Sequence, residues 1–129
     1  MKQKRWLWLP PVAFALLDWA AMLVAQPPDY WQGHYGFAQA PHPLAVWLLE
    51  WHPLAFVAGG LVWIVLIVVA IGLLPRRSAM VLSALLVMLH AWGVSTFLCW
   101  RVPGGYWLML LLFLAAAWAL AVAWERNRP

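Results

Sequence analysis

Two ionisable residues, Asp18 and His90, interrupt hydrophobic stretches of the chain and are the residues best placed to do chemistry. An ionisable side chain in hydrocarbon costs roughly 2.5 to 3.5 kcal/mol on insertion scales, so such residues usually face a bundle interior, a partner or a ligand. Both lie at a similar depth, counted from the charged ends of their segments. We therefore expect Asp18 and His90 to meet inside a small membrane protein.

The simplest role for this pair is structural. Buried polar groups need hydrogen-bonding partners, and polar pairs commonly fix the register of membrane helices. Ala15 and Ala21 share a helix face with Asp18 and would let another helix approach closely. Gly93 follows His90 by one turn and leaves space beside the imidazole. We expect the two side chains to hydrogen-bond each other or a tryptophan indole N–H.

A bound cofactor is a second interpretation of the same layer. His90 could serve as the axial ligand of a haem or chlorophyll, with Trp92 beside the ring. Asp18 and Trp63 are expected at the same depth and would contribute to a tetrapyrrole or quinone site. A haem with two histidine ligands needs a second intramembrane histidine, and only His90 lies within a predicted helix. A chlorophyll needs only one histidine ligand.

Two further interpretations use Asp18 directly. Membrane carboxylates act as relays in ion-coupled transport, so a small transporter depending on Asp18 is a third hypothesis. An intramembrane hydrolase would combine Asp18 and His90 with Ser83 or Ser95, but no nucleophile motif surrounds either serine. We therefore predict that the protein is not an enzyme.

The composition places all of these residues in a membrane. The chain has 129 residues, of which 67% are hydrophobic and 9% are charged, whereas soluble domains carry about 25% charged residues. A spanning helix needs about 20 apolar residues. The length therefore accommodates four helices and leaves no room for a separate soluble domain. We expect one all-α membrane domain over residues 1–129.

Prolines, glycines and charges divide the chain into four hydrophobic segments. The predicted spanning helices cover about 6–25, 54–74, 79–100 and 106–124, with an aromatic loop over 26–53. The first segment could pass for a signal peptide. Asp18 and Trp19 would interrupt its apolar region, so we interpret it as a retained first helix.

The loop contains one further helical pattern. Pro43 can begin a short helix with Leu44, Trp47, Leu48 and Trp51 on one face. Such a helix is expected to lie flat in the headgroup region, on the extracytoplasmic side of the membrane.

The loop histidines raise the question of a metal site. His34, His42 and His52, together with Asp29 and Glu50, are suitable ligand types. Their spacing matches no compact site, so we predict ordinary polar residues and no metal. His42 and His52 each precede a proline and are expected at helix starts.

The basic residues predict the topology and the location. With a cytoplasmic N-terminus, a single basic residue, Arg101, lies outside. The seven others lie inside: Lys2, Lys4, Arg5, Arg76, Arg77, Arg126 and Arg128. This bias is typical of the positive-inside rule and argues against nucleic-acid binding. We predict a multi-pass protein of the bacterial inner membrane with both termini in the cytoplasm and the 26–53 loop in the periplasm.

Tryptophan and alanine suggest contact surfaces. The twelve tryptophans exceed what so small a bundle needs for its own core, and alanine rows favour close helix contact. The predicted interaction surface comprises Trp47, Trp51, Trp118, Ala115, Ala119 and Ala123. We therefore predict a non-catalytic accessory subunit of a larger inner-membrane complex, with other membrane subunits and lipid as partners. A pigment-, haem- or quinone-binding subunit and an ion-coupled transporter are the alternatives.

Overall fold

The computed structural model describes residues 5–127, which contain helices and turns and no β-strand. The helices are α1 (Arg5–Val24), α2 (Pro28–Trp31), α3 (Pro43–Trp51), α4 (Pro53–Leu73), α5 (Arg76–Arg101) and α6 (Gly105–Arg126). Four of them, α1, α4, α5 and α6, are long and apolar enough to cross a membrane, as predicted. Lys2, Lys4 and Arg128, which enter the predicted charge bias, lie outside the described residues.

Helix α1 is central to the bundle, because it packs against α4, α5 and α6 and makes its most extensive contact with α5. Hydrogen bonds join Leu7 to Ser83 and Asp18 to His90, so α1 and α5 run parallel. We call the end that holds the start of α1 and the end of α6 the terminal end. The opposite end, which holds α2 and α3, is the loop end.

Helix α5 begins earlier than predicted. It starts at Arg76 rather than near residue 79, because Pro75 has an extended backbone (φ −54°, ψ 151°) and precedes the first helical residue directly. The first N–H groups of a helix need no intrahelical acceptor, so polar residues are tolerated there. Arg76 and Arg77 therefore belong to the first turn of α5 and not to a separate loop.

Two glycines form the turn between α5 and α6. Gly104 has a positive φ of 72°, a conformation that side chains with a Cβ rarely adopt. A Cβ on Gly105 would overlap the backbone carbonyl of Leu98. The short turn between α5 and α6 therefore depends on both glycines, for different steric reasons.

The loop contains more regular structure than its turn-rich sequence predicts. Helix α2 and a 3-10 turn at Tyr35–Phe37 lie within the segment expected to be irregular. Tyr30 is completely buried, and its hydroxyl donates to the backbone carbonyl of Leu49 at 3.0 Å. Burial, together with the neighbouring Tyr35, raises the pKa of the Tyr30 phenol above its usual value. This bond ties α2 to α3.

The prolines of α1 leave a backbone carbonyl without its helical donor, and a residue of α5 replaces that donor. Pro10 and Pro11 lie beyond the first turn of α1, so each removes an N–H that the preceding turn would use. The carbonyl of Leu7, four residues before Pro11, therefore lacks its helical donor. The buried hydroxyl of Ser83 in α5 donates to this carbonyl at 2.6 Å. A defect in one helix is thus compensated by a side chain of another.

We predict that Ser83→Ala lowers the free energy of unfolding by about 1 to 3 kcal/mol, because the buried Leu7 carbonyl would have no donor. Ser95→Ala is the matched control, since Ser95 is also buried in α5 and its hydroxyl donates to Trp92 of its own helix at 2.7 Å. Denaturant unfolding in micelles, followed by circular dichroism, measures both. Equal losses in the two variants would contradict this explanation.

Candidate functional site: the polar centre

Three side chains from three helices meet in the bundle and form what we call the polar centre: Asp18 of α1, His90 of α5 and Trp63 of α4. Asp18 and His90 are 8% and 6% exposed. His90 Nδ1 lies 2.9 Å from Asp18 Oδ2. The Trp63 indole N–H donates to His90 Nε2 at 3.2 Å. The predicted contact between the acidic group and the imidazole is therefore present, and an indole joins it.

The indole determines which nitrogen of His90 carries the proton. An indole N–H only donates, so Nε2 of His90 must be the acceptor and cannot itself be protonated. The proton of the neutral imidazole is then on Nδ1, from which it donates to the Asp18 carboxyl oxygen.

Small residues allow this approach. Ala15 and Ala91, next to the polar centre on α1 and α5, are completely buried. A Cβ added to Gly93 would overlap the carboxyl group of Asp18. The space that the sequence predicts beside His90 is therefore occupied by Asp18 itself.

The polar centre has no nitrogen free to hold a tetrapyrrole. Both ring nitrogens of His90 are hydrogen-bonded within the chain, so axial ligation would require loss of the Trp63 bond. Trp92, expected beside such a ring, is 67% exposed on the outer surface of α5. Trp63, expected at the same depth, is the indole that reaches the histidine. The rotation of each helix about its axis, and not depth alone, decides which tryptophan contacts His90.

The two serines do not complete a catalytic triad. Nucleophilic catalysis needs a hydroxyl within hydrogen-bonding reach of the base. Ser83 donates to Leu7, and Ser95 donates to the carbonyl of Trp92. Neither hydroxyl bonds to His90, whose two nitrogens already have other partners.

Two of the three loop histidines, His42 and His52, cap the helices that follow them. Nδ1 of His42 accepts from the N–H of Leu44 at 3.2 Å, and Nδ1 of His52 accepts from Leu54 at 3.1 Å. The prediction that these two histidines lie at helix starts is confirmed. Within residues 5–127, no three histidine, cysteine, aspartate or glutamate side chains are grouped closely enough to hold a metal ion.

The residues of the predicted interaction surface differ in accessibility. Trp47 and Trp51 are exposed, and their ring centroids lie 4.4 Å apart. Trp118 and Ala115 are also exposed, whereas Ala119 is half-buried. Ala123 is 3% exposed because the chain's own helices cover it. This last residue therefore belongs to the internal packing, which corrects its predicted place on an external surface.

A second polar cluster, at the loop end, was not predicted from the sequence. Gln26 is buried, and its amide donates to the carbonyls of Met22 and Gln39 at 2.8 and 2.7 Å. Its Oε1 accepts from the N–H of Gln39 at 2.9 Å. Arg101 Nη2 donates to Gln39 Oε1 at 3.1 Å. The sequence signal for this cluster is a polar residue, Gln26, directly after the hydrophobic segment 6–25.

Comparison with known proteins finds no family model that matches this chain, and no similar curated protein or solved structure. Its function is therefore inferred from the polar centre and the surfaces described above.

We predict that Gly93→Ala lowers the free energy of unfolding by about 1 to 3 kcal/mol, the range found for overpacked cores. Gly72→Ala is the matched control, because a Cβ at that helical position would meet nothing within 4 Å. Thermal unfolding in detergent, followed by circular dichroism, measures both changes.

The cause of the loss can be tested with Asp18→Ala. Removing the carboxyl group should reduce the effect of Gly93→Ala, because the two positions share one space. Strictly additive losses in the double variant would show that the carboxyl group is not what the added methyl meets.

Proposed function

We propose that the protein is a non-catalytic accessory subunit of a larger assembly in the bacterial inner membrane. The observation that carries this proposal is the closed polar centre. A catalytic or ligand-binding site directs a nucleophile, acid, base or metal ligand at another molecule. Both nitrogens of His90 are instead bonded within the bundle. The polar centre therefore serves best to fix the packing of α1, α4 and α5.

The loop end provides a surface suited to docking. Trp47 and Trp51 are exposed on α3, and buried Tyr30 holds the last turn of that helix. Aromatic residues are enriched at protein interfaces, where tryptophan often contributes a large share of the binding energy. A helix that is already held in place loses little conformational freedom on binding. In this proposal α3 lies along the membrane surface and presents the two indoles to another subunit.

A second contact lies within the membrane. Helix α6 exposes Trp118 and Ala115, and Ala119 lies half-buried beside them. Small side chains allow close approach of another membrane helix, and the neighbouring indole adds contact area. This face would dock against a spanning helix of the same assembly.

The charge distribution supports the proposed orientation. Arg76, Arg77 and Arg126 lie at the terminal end, and Arg101 lies at the loop end. Cationic residues concentrate on the cytoplasmic side of inner-membrane proteins. We therefore place both termini in the cytoplasm and the loop end in the periplasm.

Extraction of the tagged chain from its native membrane with a gentle detergent tests the proposal. We expect other membrane chains to co-purify in constant stoichiometry, and Trp47→Ser with Trp51→Ser to reduce their yield at least severalfold, since interface tryptophans are frequent hot spots. Trp92→Ser is the control, because this tryptophan is also exposed but lies on α5, outside both proposed contacts. Recovery of the wild-type chain alone and fully functional would contradict the proposal.

The same material distinguishes the alternatives. Visible absorption bands in the purified protein would favour a haem or chlorophyll subunit instead. Loss of ion-coupled uptake in Asp18→Asn, with the fold intact, would favour a transporter.

A further inference from the structure

A groove lies between α1 and α5 at the loop end of the bundle. Its volume is about 160 Å³, and it is open on one side. Ala21 and Gly93 are among the small residues that line it, and Met22 and Phe97 are among the large apolar ones. It therefore extends from the edge of the bundle to the glycine that borders the polar centre.

The rim of this groove carries a cation. Arg101 lines the groove and is the one basic residue that the sequence places at the loop end. The Arg101 guanidinium donates to the side-chain oxygen of Gln39. The backbone N–H and carbonyl of Gln39 are both hydrogen-bonded to the side chain of buried Gln26. Within residues 5–127 the one contact at ion-pair distance joins His90 and Asp18, so no described carboxylate neutralises Arg101.

We propose that this groove binds one phospholipid, with the lipid phosphate on Arg101 and an acyl chain along Ala21 and Phe97 towards Gly93. A guanidinium forms charge-assisted hydrogen bonds with phosphate, and its planar fork suits two phosphate oxygens. The apolar walls below it offer hydrocarbon contact but few polar partners. The cationic rim matches the phosphate of a phospholipid, and the apolar walls below it match an acyl chain.

The depth of the groove agrees with this occupant. Arg101 ends a spanning helix, where headgroups lie, and Gly93 lies two turns deeper along the same helix. The proposal holds for either membrane orientation and is independent of the accessory-subunit proposal, because both leaflets contain phospholipid.

Native mass spectrometry of the full chain, released from micelles containing dioleoylphosphatidylglycerol, tests the proposal. We expect the wild type to retain one lipid and Arg101→Gln to bind it about tenfold more weakly, as expected for loss of a charge-assisted hydrogen bond. Arg77→Gln is the control, because it removes the same charge from an exposed position at the other end of the bundle. Equal lipid retention by the two variants would overturn the proposal.

A second pair of variants tests the acyl-chain contact. Ala21→Leu should fill the groove and displace the lipid while Arg101 remains, whereas Ala117→Leu, at an exposed position of α6, should not. Circular dichroism checks that both variants are folded. If folded Ala21→Leu retains the lipid, or if millimolar inorganic phosphate displaces it, the site is a simple anion site and the proposal is wrong.

Discussion

A carboxyl group between membrane helices has no water to bond with, and Asp18 therefore depends on a donor from another helix. His90 provides this donor at 2.9 Å, and the indole of Trp63 completes the partners of the imidazole. Satisfying three polar side chains at once specifies how α1, α4 and α5 lie relative to one another. A shift of α5 along its axis by one helical turn, about 5.4 Å, would separate His90 from both partners.

Buried polar groups at the two ends of the bundle also need hydrogen-bonding partners. At the terminal end Pro11 leaves the Leu7 carbonyl without a helical donor, and Ser83 replaces it. At the loop end Gln26 bonds both backbone groups of Gln39. Apolar surroundings make each unmet hydrogen bond costly, so polar side chains at several depths stabilise one arrangement of helices.

The spanning helices and the Asp18 contact were predictable from the sequence, because hydrophobic length and the cost of a membrane charge are properties of the local sequence. Three other features depend on tertiary structure. The choice of Trp63 over Trp92 depends on helix rotation, which equal depth does not specify. The Ser83 bond to Leu7 and the burial of Ala123 depend on which helices become neighbours. Such long-range contacts leave no periodic pattern in the chain.

His90 lies within the bundle between Asp18 and Trp63, donating from Nδ1 and accepting at Nε2. Nitrogen-15 NMR of the protein labelled at histidine tests this most directly, because it distinguishes the protonated from the unprotonated ring nitrogen. The structure predicts a proton on Nδ1, an unprotonated Nε2, and a shift of the Nε2 resonance in Trp63→Phe. A proton on Nε2 in the wild type, or an Nε2 resonance unaffected by that substitution, would contradict the account.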